Sequence, residues 1–147
     1  MTGLFLPQRI LETMIAQAEA GAPGEVCGLL AGQDRIVREI HRGAAGEGGN
    51  GHFSEFLDEQ CPTAGEVSAA GLEVLAVYQS HPTTPAMPSE EDIRGASKPG
   101  MVYLVLSLLQ PWRPELRGFR IHNGEVLEVP IQVFNDRDYD PEPDYMI

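Results

Sequence analysis

The chain has 147 residues, 42% of them hydrophobic, and a formal net charge of −12. That length suits one domain with a sizeable core, and no apolar run approaches the ~20 residues needed to cross a bilayer. The acidic balance argues against nucleic acid and anionic lipid as general partners, and the absence of a basic stretch followed by an apolar one leaves no visible signal peptide, so a cytoplasmic location is expected.

Leu6 to Ile10 opens a predicted helix, with Pro7 suited to its first turn. Ile10, Leu11, Met14, Ile15 and Ala18 recur at helical spacing, and Gly21 with Pro23 ends the element. Glu25 to Gly32 reads as a buried strand in which Gly28 implies close approach of another backbone or a ligand. Arg35 to His41 is expected to pair with it as a hairpin. Gly43 to Gly51 is a loop with glycines at 43, 46, 48, 49 and 51. It lacks the following Lys-Ser/Thr of a phosphate-binding loop.

Phe53 to Leu57 suggests a short strand, and Pro62 to Ala70 a helix. Leu72 to Tyr78 is a Val- and Leu-rich strand that delivers Gln79 and His81 at its C-terminal end. A helix is expected from Ser89 to about Ala96, stopped by Pro99-Gly100. Val102 to Leu109 is the next strand. Leu116 to His122 and Glu125 to Val133 form a predicted hairpin around Asn123-Gly124, a pair suited to a type I′ turn. From 135 to 147 the chain carries five acids and two prolines and is expected to be an extended or disordered tail. The two cysteines, Cys27 and Cys61, offer no disulfide framework, and Cys27 reads as a small buried hydrophobe. Helices interspersed with strands argue for an α/β or α+β sandwich around one sheet.

Three segments carry the chemistry: Glu25, the pair Gln79/His81, and the pair Ser89/Asp92. Residues two apart on a strand point the same way, so Gln79 and His81 face one pocket if the strand continues through them. Asp92, three residues into the next element, can aim back at that pocket. An imidazole and a carboxylate from two different elements are what a zinc site needs, and zinc makes water acidic near neutral pH. A nearby carboxylate can then move a proton to a leaving amine, and a hydroxyl can steady an oxyanion. Each residue also has a plain reading. Ser89-Glu90-Glu91-Asp92 fits a Ser-x-x-Asp capping box. His81 alone fits a hydrogen-bonded loop histidine, and Glu25 alone an ordinary polar residue between a turn and a strand. His41, His52 and His122 read as surface residues, with His52 able to swing towards a site.

Together, Glu25-Val26-Cys27-Gly28-Leu29-Leu30, Ser80-His81-Pro82 and Pro88-Ser89-Glu90-Glu91-Asp92 resemble the JAMM/MPN metalloprotease family in its small prokaryotic form. The resemblance spans residues 3 to 134. It implies a central mixed β-sheet flanked by helices, in a sandwich related to the cytidine deaminase arrangement, with residues 1–134 as the domain and 135–147 as the tail. It makes Glu25 the general acid/base, His81 and Asp92 zinc ligands, and Ser89 the oxyanion donor. It implies hydrolysis after the C-terminal tail of a ubiquitin-like or sulfur-carrier protein.

The departure is Gln79, where the family has its first histidine. An amide oxygen is a poorer zinc ligand than an imidazole. Three outcomes follow: Gln79, His81 and Asp92 hold zinc at reduced affinity; another ligand such as His52 or a partner's side chain is recruited; or the domain is a metal-free MPN-like binding module. The joint presence of Glu25, His81, Ser89 and Asp92 favours the hydrolase. A base deaminase is disfavoured by the missing Pro-Cys-x-x-Cys pair.

Overall fold

A computed structural model of the chain describes residues 3–42, 71–96 and 100–135. The segment expectations for 43–70, His52 and Cys61 among them, and for the tail beyond Asn135 lie outside the described residues. In chain order the elements are β1 (Leu4–Pro7), α1 (Gln8–Gly21), β2 (Cys27–Gln33), β3 (Ile36–Arg42), β4 (Glu73–His81), α2 (Glu90–Gly95), β5 (Val102–Ser107), β6 (Glu115–His122), β7 (Glu125–Val129) and β8 (Ile131–Phe134). The eight strands form one sheet in the order β7-β6-β5-β4-β2-β3-β1-β8.

The sheet is mixed. β4 runs antiparallel to β2 and parallel to β5. Because β4 and β5 are neighbours buried on both faces, both read as near-continuous apolar runs. One face packs under α1, where Ile10, Met14 and Ala18 are buried against Leu30, Ala76, Tyr78, Leu104 and Leu106. The other face gathers Leu29, Val77, Tyr103, Val105 and Phe119, covered in part by Ile93 of α2. Gly28 sits where a Cβ would lie 2.5 Å from the Tyr78 ring and 2.7 Å from the His41 carbonyl. The close approach expected at that glycine is therefore real, and it is made by protein.

The predicted boundaries differ most at four places, the first two for a tertiary reason. Leu6 and Pro7, expected to open the helix, end a strand that starts at Leu4 and pairs in parallel with β8 from Leu4↔Ile131 to Pro7↔Phe134. The second strand of the terminal hairpin stops at Val129; after Pro130 the chain leaves the hairpin, and β8 forms the opposite edge of the sheet. Arg35 belongs to the β2–β3 turn, where Asp34 and Arg35 both have positive φ, and not to the strand. Finally, β2 begins at Cys27, two residues after Glu25, while β4 runs on to His81. The Asn123-Gly124 turn has positive φ at both residues, as a type I′ turn requires.

Candidate functional site

The site lies at the C-terminal end of β4. This strand extends through Gln79 and His81 because both flanks pair it: Cys27↔Gln79 on the β2 side and His81↔Ser107 on the β5 side. Ser80, between them, fastens the Glu25 segment. Its amide donates to the Val26 carbonyl at 2.8 Å, and its Oγ accepts from the Val26 amide at 2.8 Å. The segment that carries Glu25 is thereby held beside Gln79. Glu25 is exposed, and its Oε1 accepts from Gln79 Nε2 at 2.7 Å. Sequence reading placed the two residues near one pocket but missed this bond and the Ser80 clamp. A serine inside an apolar strand was the available signal, since such hydroxyls seek backbone partners.

Gln79, His81 and Asp92 are 1%, 4% and 1% exposed, so all three polar groups are withdrawn from water. The His81 ring is oriented by the Pro85 carbonyl, 3.1 Å from Nδ1. In the neutral imidazole, a proton on Nδ1 shared with that carbonyl leaves Nε2 with its lone pair, the arrangement usual for a metal-binding imidazole. Nε2 lies 3.4 Å from Asp92 Oδ2. Two ligands of a tetrahedral zinc ion, each bonded at 2.0–2.1 Å, stand about 3.3 Å apart. The spacing therefore matches two corners of such a site.

Asp92 is held in place by the start of α2. Ser89 Oγ accepts from the Asp92 amide at 3.0 Å, and Asp92 Oδ2 accepts from the Ser89 amide at 2.9 Å. The plain reading of Ser89–Asp92 as a capping box is correct. It does not compete with the site, because the carboxylate oxygen that takes the cap bond also faces His81. Ser89 is exposed, and its Oγ accepts the cap bond from the Asp92 amide.

Burial works against charge on both His81 and Asp92, yet in each case the neighbouring groups outweigh it. Burial lowers the His81 pKa, but the hydrogen bond to Asp92, the Pro85 carbonyl and the charges of Asp92 and Glu25 outweigh it and raise the imidazole above its usual value. Burial raises the Asp92 pKa, but the bonds from His81 and from the amide and side chain of Ser89 outweigh that and hold the carboxyl below its usual value. The influence of Glu25 on His81 places its carboxylate in the same electrostatic neighbourhood.

Ser107 supports the loop from Pro82 to Pro88. Its Oγ donates to the Thr84 carbonyl at 2.6 Å and accepts from the Leu109 amide at 3.1 Å. No sequence signal pointed to it beyond a buried serine ending an apolar run. Sequence reading did gather Glu25, Gln79, His81, Ser89 and Asp92, and the structure brings all five to this end of the sheet. His41 instead bonds Glu39 at 2.9 Å on β3, and His122 sits beside Asn123 in the β6–β7 turn.

Among the described residues, no three His, Cys, Asp or Glu side chains converge as a metal would require. A cation held here by His81 and Asp92 must take its third donor from another residue type. Gln79 provides one: its Oε1 is buried and has no hydrogen-bond partner among the described residues. An amide oxygen left so is costly, by about 1–3 kcal/mol, unless something binds it. On that observation the residues present fit a divalent cation.

The sheet, the helix beneath it and this site define a JAB-type domain. The chain matches the family of prokaryotic homologs of the JAB domain over residues 7–121 and belongs to it. It is similar to the CysO-cysteine peptidase of Mycobacterium tuberculosis, 34% identical over 133 residues, which cover 88% of this chain and 90% of that protein. It is also similar to a desampylase of Haloferax volcanii, 33% identical over 104 residues, covering 65% and 74% of the two chains. The solution structure of a protein from Desulfitobacterium hafniense superposes with a TM-score of 0.79 at 34% identity, over 90% of this chain and 93% of that one. The expected mixed-sheet sandwich of the family is thus the fold observed. Among the described residues, no helix is long and apolar enough to cross a membrane.

Proposed function

We propose that this protein is a zinc-dependent peptidase that cleaves after the C-terminal tail of a ubiquitin-like or sulfur-carrier protein. The observation that carries the reading is the 3.4 Å approach of His81 Nε2 to Asp92 Oδ2, beside a carboxylate that Gln79 holds at the rim. The names of its relatives, a CysO-cysteine peptidase and a desampylase, support the substrate class. His81, Asp92 and Gln79 are the residues that would hold the metal. When bound, zinc supplies Lewis acidity: it acidifies water and polarises a carbonyl.

The chain's own residues do the rest. Glu25 takes the proton of the attacking water and gives it to the departing amine; Gln79 Nε2 keeps the carboxylate aimed for that transfer. The Ser89 hydroxyl, its oxygen anchored by the Asp92 amide, donates its proton towards the oxygen that becomes negative on the scissile carbonyl. The Pro85 carbonyl keeps His81 in one tautomer. The substrate tail would lie extended along the rim, in a cytoplasmic setting.

The test is cleavage of a sulfur-carrier protein with its C-terminal Gly-Gly extended by one amino acid or a short peptide, followed by mass spectrometry. Release of the extension is expected, with Glu25→Ala abolishing it while zinc remains bound. Full turnover by Glu25→Ala removes that residue from the mechanism. The absence of a converging His/Cys/Asp/Glu trio among the described residues favours a second reading, a metal-free binding module. Failure to bind zinc at ~100 μM would select it, since functional zinc sites hold their ion far more tightly.

A further inference from the structure

The Gln79 amide has two ends in two different situations. Nε2 is committed to Glu25 at 2.7 Å. That bond fixes which way the amide is turned, so the buried Oε1 must face elsewhere, and no described group donates to it. Gln79 and His81 sit at alternate positions of β4, on the same side of the strand. Asp92 closes on His81 from α2. One imidazole nitrogen and two kinds of oxygen, a carboxylate and an unpartnered amide oxygen, thus belong to buried side chains at this end of the sheet.

Resting on the cation site proposed above, we infer that Gln79 is a two-ended residue: its nitrogen positions Glu25 and its oxygen is the third protein donor, giving a site that prefers Zn2+ to Mn2+ by a smaller margin than a two-histidine site would. The reason lies in ligand chemistry. Imidazole suits zinc, whereas carbonyl and carboxylate oxygens suit manganese and other hard cations. Replacing one of two imidazoles by an amide oxygen removes more zinc affinity than manganese affinity. Zinc still binds more tightly in absolute terms, as the usual order of divalent metals requires, but its margin is compressed. The same substitution keeps an N–H for Glu25, so the acid stays in place.

Isothermal titration of the metal-free full chain with Zn2+ and with Mn2+ tests this, using wild type, Gln79→His, Gln79→Leu and Gln79→Glu. Gln79→His is expected to raise the ratio of zinc to manganese affinity at least about tenfold. Gln79→Leu, close in size and without donors, is expected to weaken both metals by about tenfold or more, while Gln79→Glu, which restores an oxygen, binds both at least as well as wild type. Circular dichroism checks that each variant is folded; if Gln79→Leu is not, the Glu and His variants decide. The visible spectrum of the Co2+-substituted protein gives a second reading, changing with the donor set between wild type and Gln79→His. Unchanged binding in Gln79→Leu, an unchanged ratio and spectrum in Gln79→His, or no binding of either metal by wild type overturns the inference. A protein that shows the expected titrations but cleaves no carrier tail refutes the peptidase reading alone; one that cleaves the tail while Gln79→Leu binds metal normally refutes the Gln79 assignment alone.

Discussion

The two helices are built on opposite principles. α1 has 14 residues, yet no side chain caps its start, no acid sits in its first turn and no base in its last. α2 has six residues, with a full capping box, three acids in its first turn and Arg94 in its last. α1 is held by burial: Ile10, Met14 and Ala18 meet the sheet on one stripe. α2 buries little beyond Asp92 and part of Ile93, and a helix of that length has no stability of its own in water. Its local signals therefore do what packing does for α1. The consequence is functional. The bonds that hold α2 are the bonds that aim Asp92 at His81, so in α2 helix stability and site geometry are one property, while in α1 they are separate.

Met14→Ala breaks the comparison at its strongest point. Truncating this fully buried side chain is expected to cost about 2–5 kcal/mol in urea unfolding. The protein that remains folded should bind zinc with wild-type affinity. A parallel fall in zinc affinity would mean that the α1 face and the site are coupled after all. Asp92→Ala acts at the other pole. Loss of its half of the capping box is expected to cost about 1 kcal/mol, and zinc affinity should drop by at least about tenfold in calorimetry, a loss typical of metal sites missing even a supporting group. Asp92→Asn sharpens the result. It keeps an oxygen for the Ser89 amide, so stability should stay close to wild type, while the lost charge still weakens zinc. Unweakened zinc binding by Asp92→Asn would remove the carboxylate from the cation site.

The same contrast explains what could be read in the amino-acid sequence. α1, β4, β5 and the Asn123-Gly124 hairpin announce themselves through periodicity or turn chemistry, because each answers to a local pattern. β1 and β8 do not. They are four residues each, and they pair with one another from over 120 positions apart in the chain, while β1 also pairs with β3. Only assembly of the sheet distinguishes Leu6 and Pro7 from the first turn of a helix, and Pro130 from a bulge within a longer strand. At the site, the residue types and spacing grouped Glu25, Gln79, His81, Ser89 and Asp92, and the structure gathers them at one end of the sheet. What escaped was how they are held. The Ser80 clamp on Val26, the Ser107 tether of Thr84 and the Gln79–Glu25 bond join parts of the chain 23 to 54 positions apart. No pattern within a segment encodes such a bond.

The smallest expected effect on stability separates the two roles of Ser89. As a cap, the side chain accepts from the Asp92 amide; as the proposed oxyanion donor, it would donate its own proton. Glycine is tolerated at a helix N-cap at a cost of only a few tenths of a kcal/mol, whereas alanine costs about 1 kcal/mol. Ser89→Gly should therefore melt close to wild type and bind zinc nearly as well, because the Ser89 main-chain amide still bonds Asp92 Oδ2. Its turnover on the extended carrier tail should nonetheless fall by about a hundredfold, the usual effect of removing one oxyanion donor. If Ser89→Gly turns over normally, the hydroxyl is only a cap, and the oxyanion must be met by another group. If it loses zinc and stability together, the backbone half of the box is insufficient, and Ser89 shapes the site through Asp92 rather than by touching substrate.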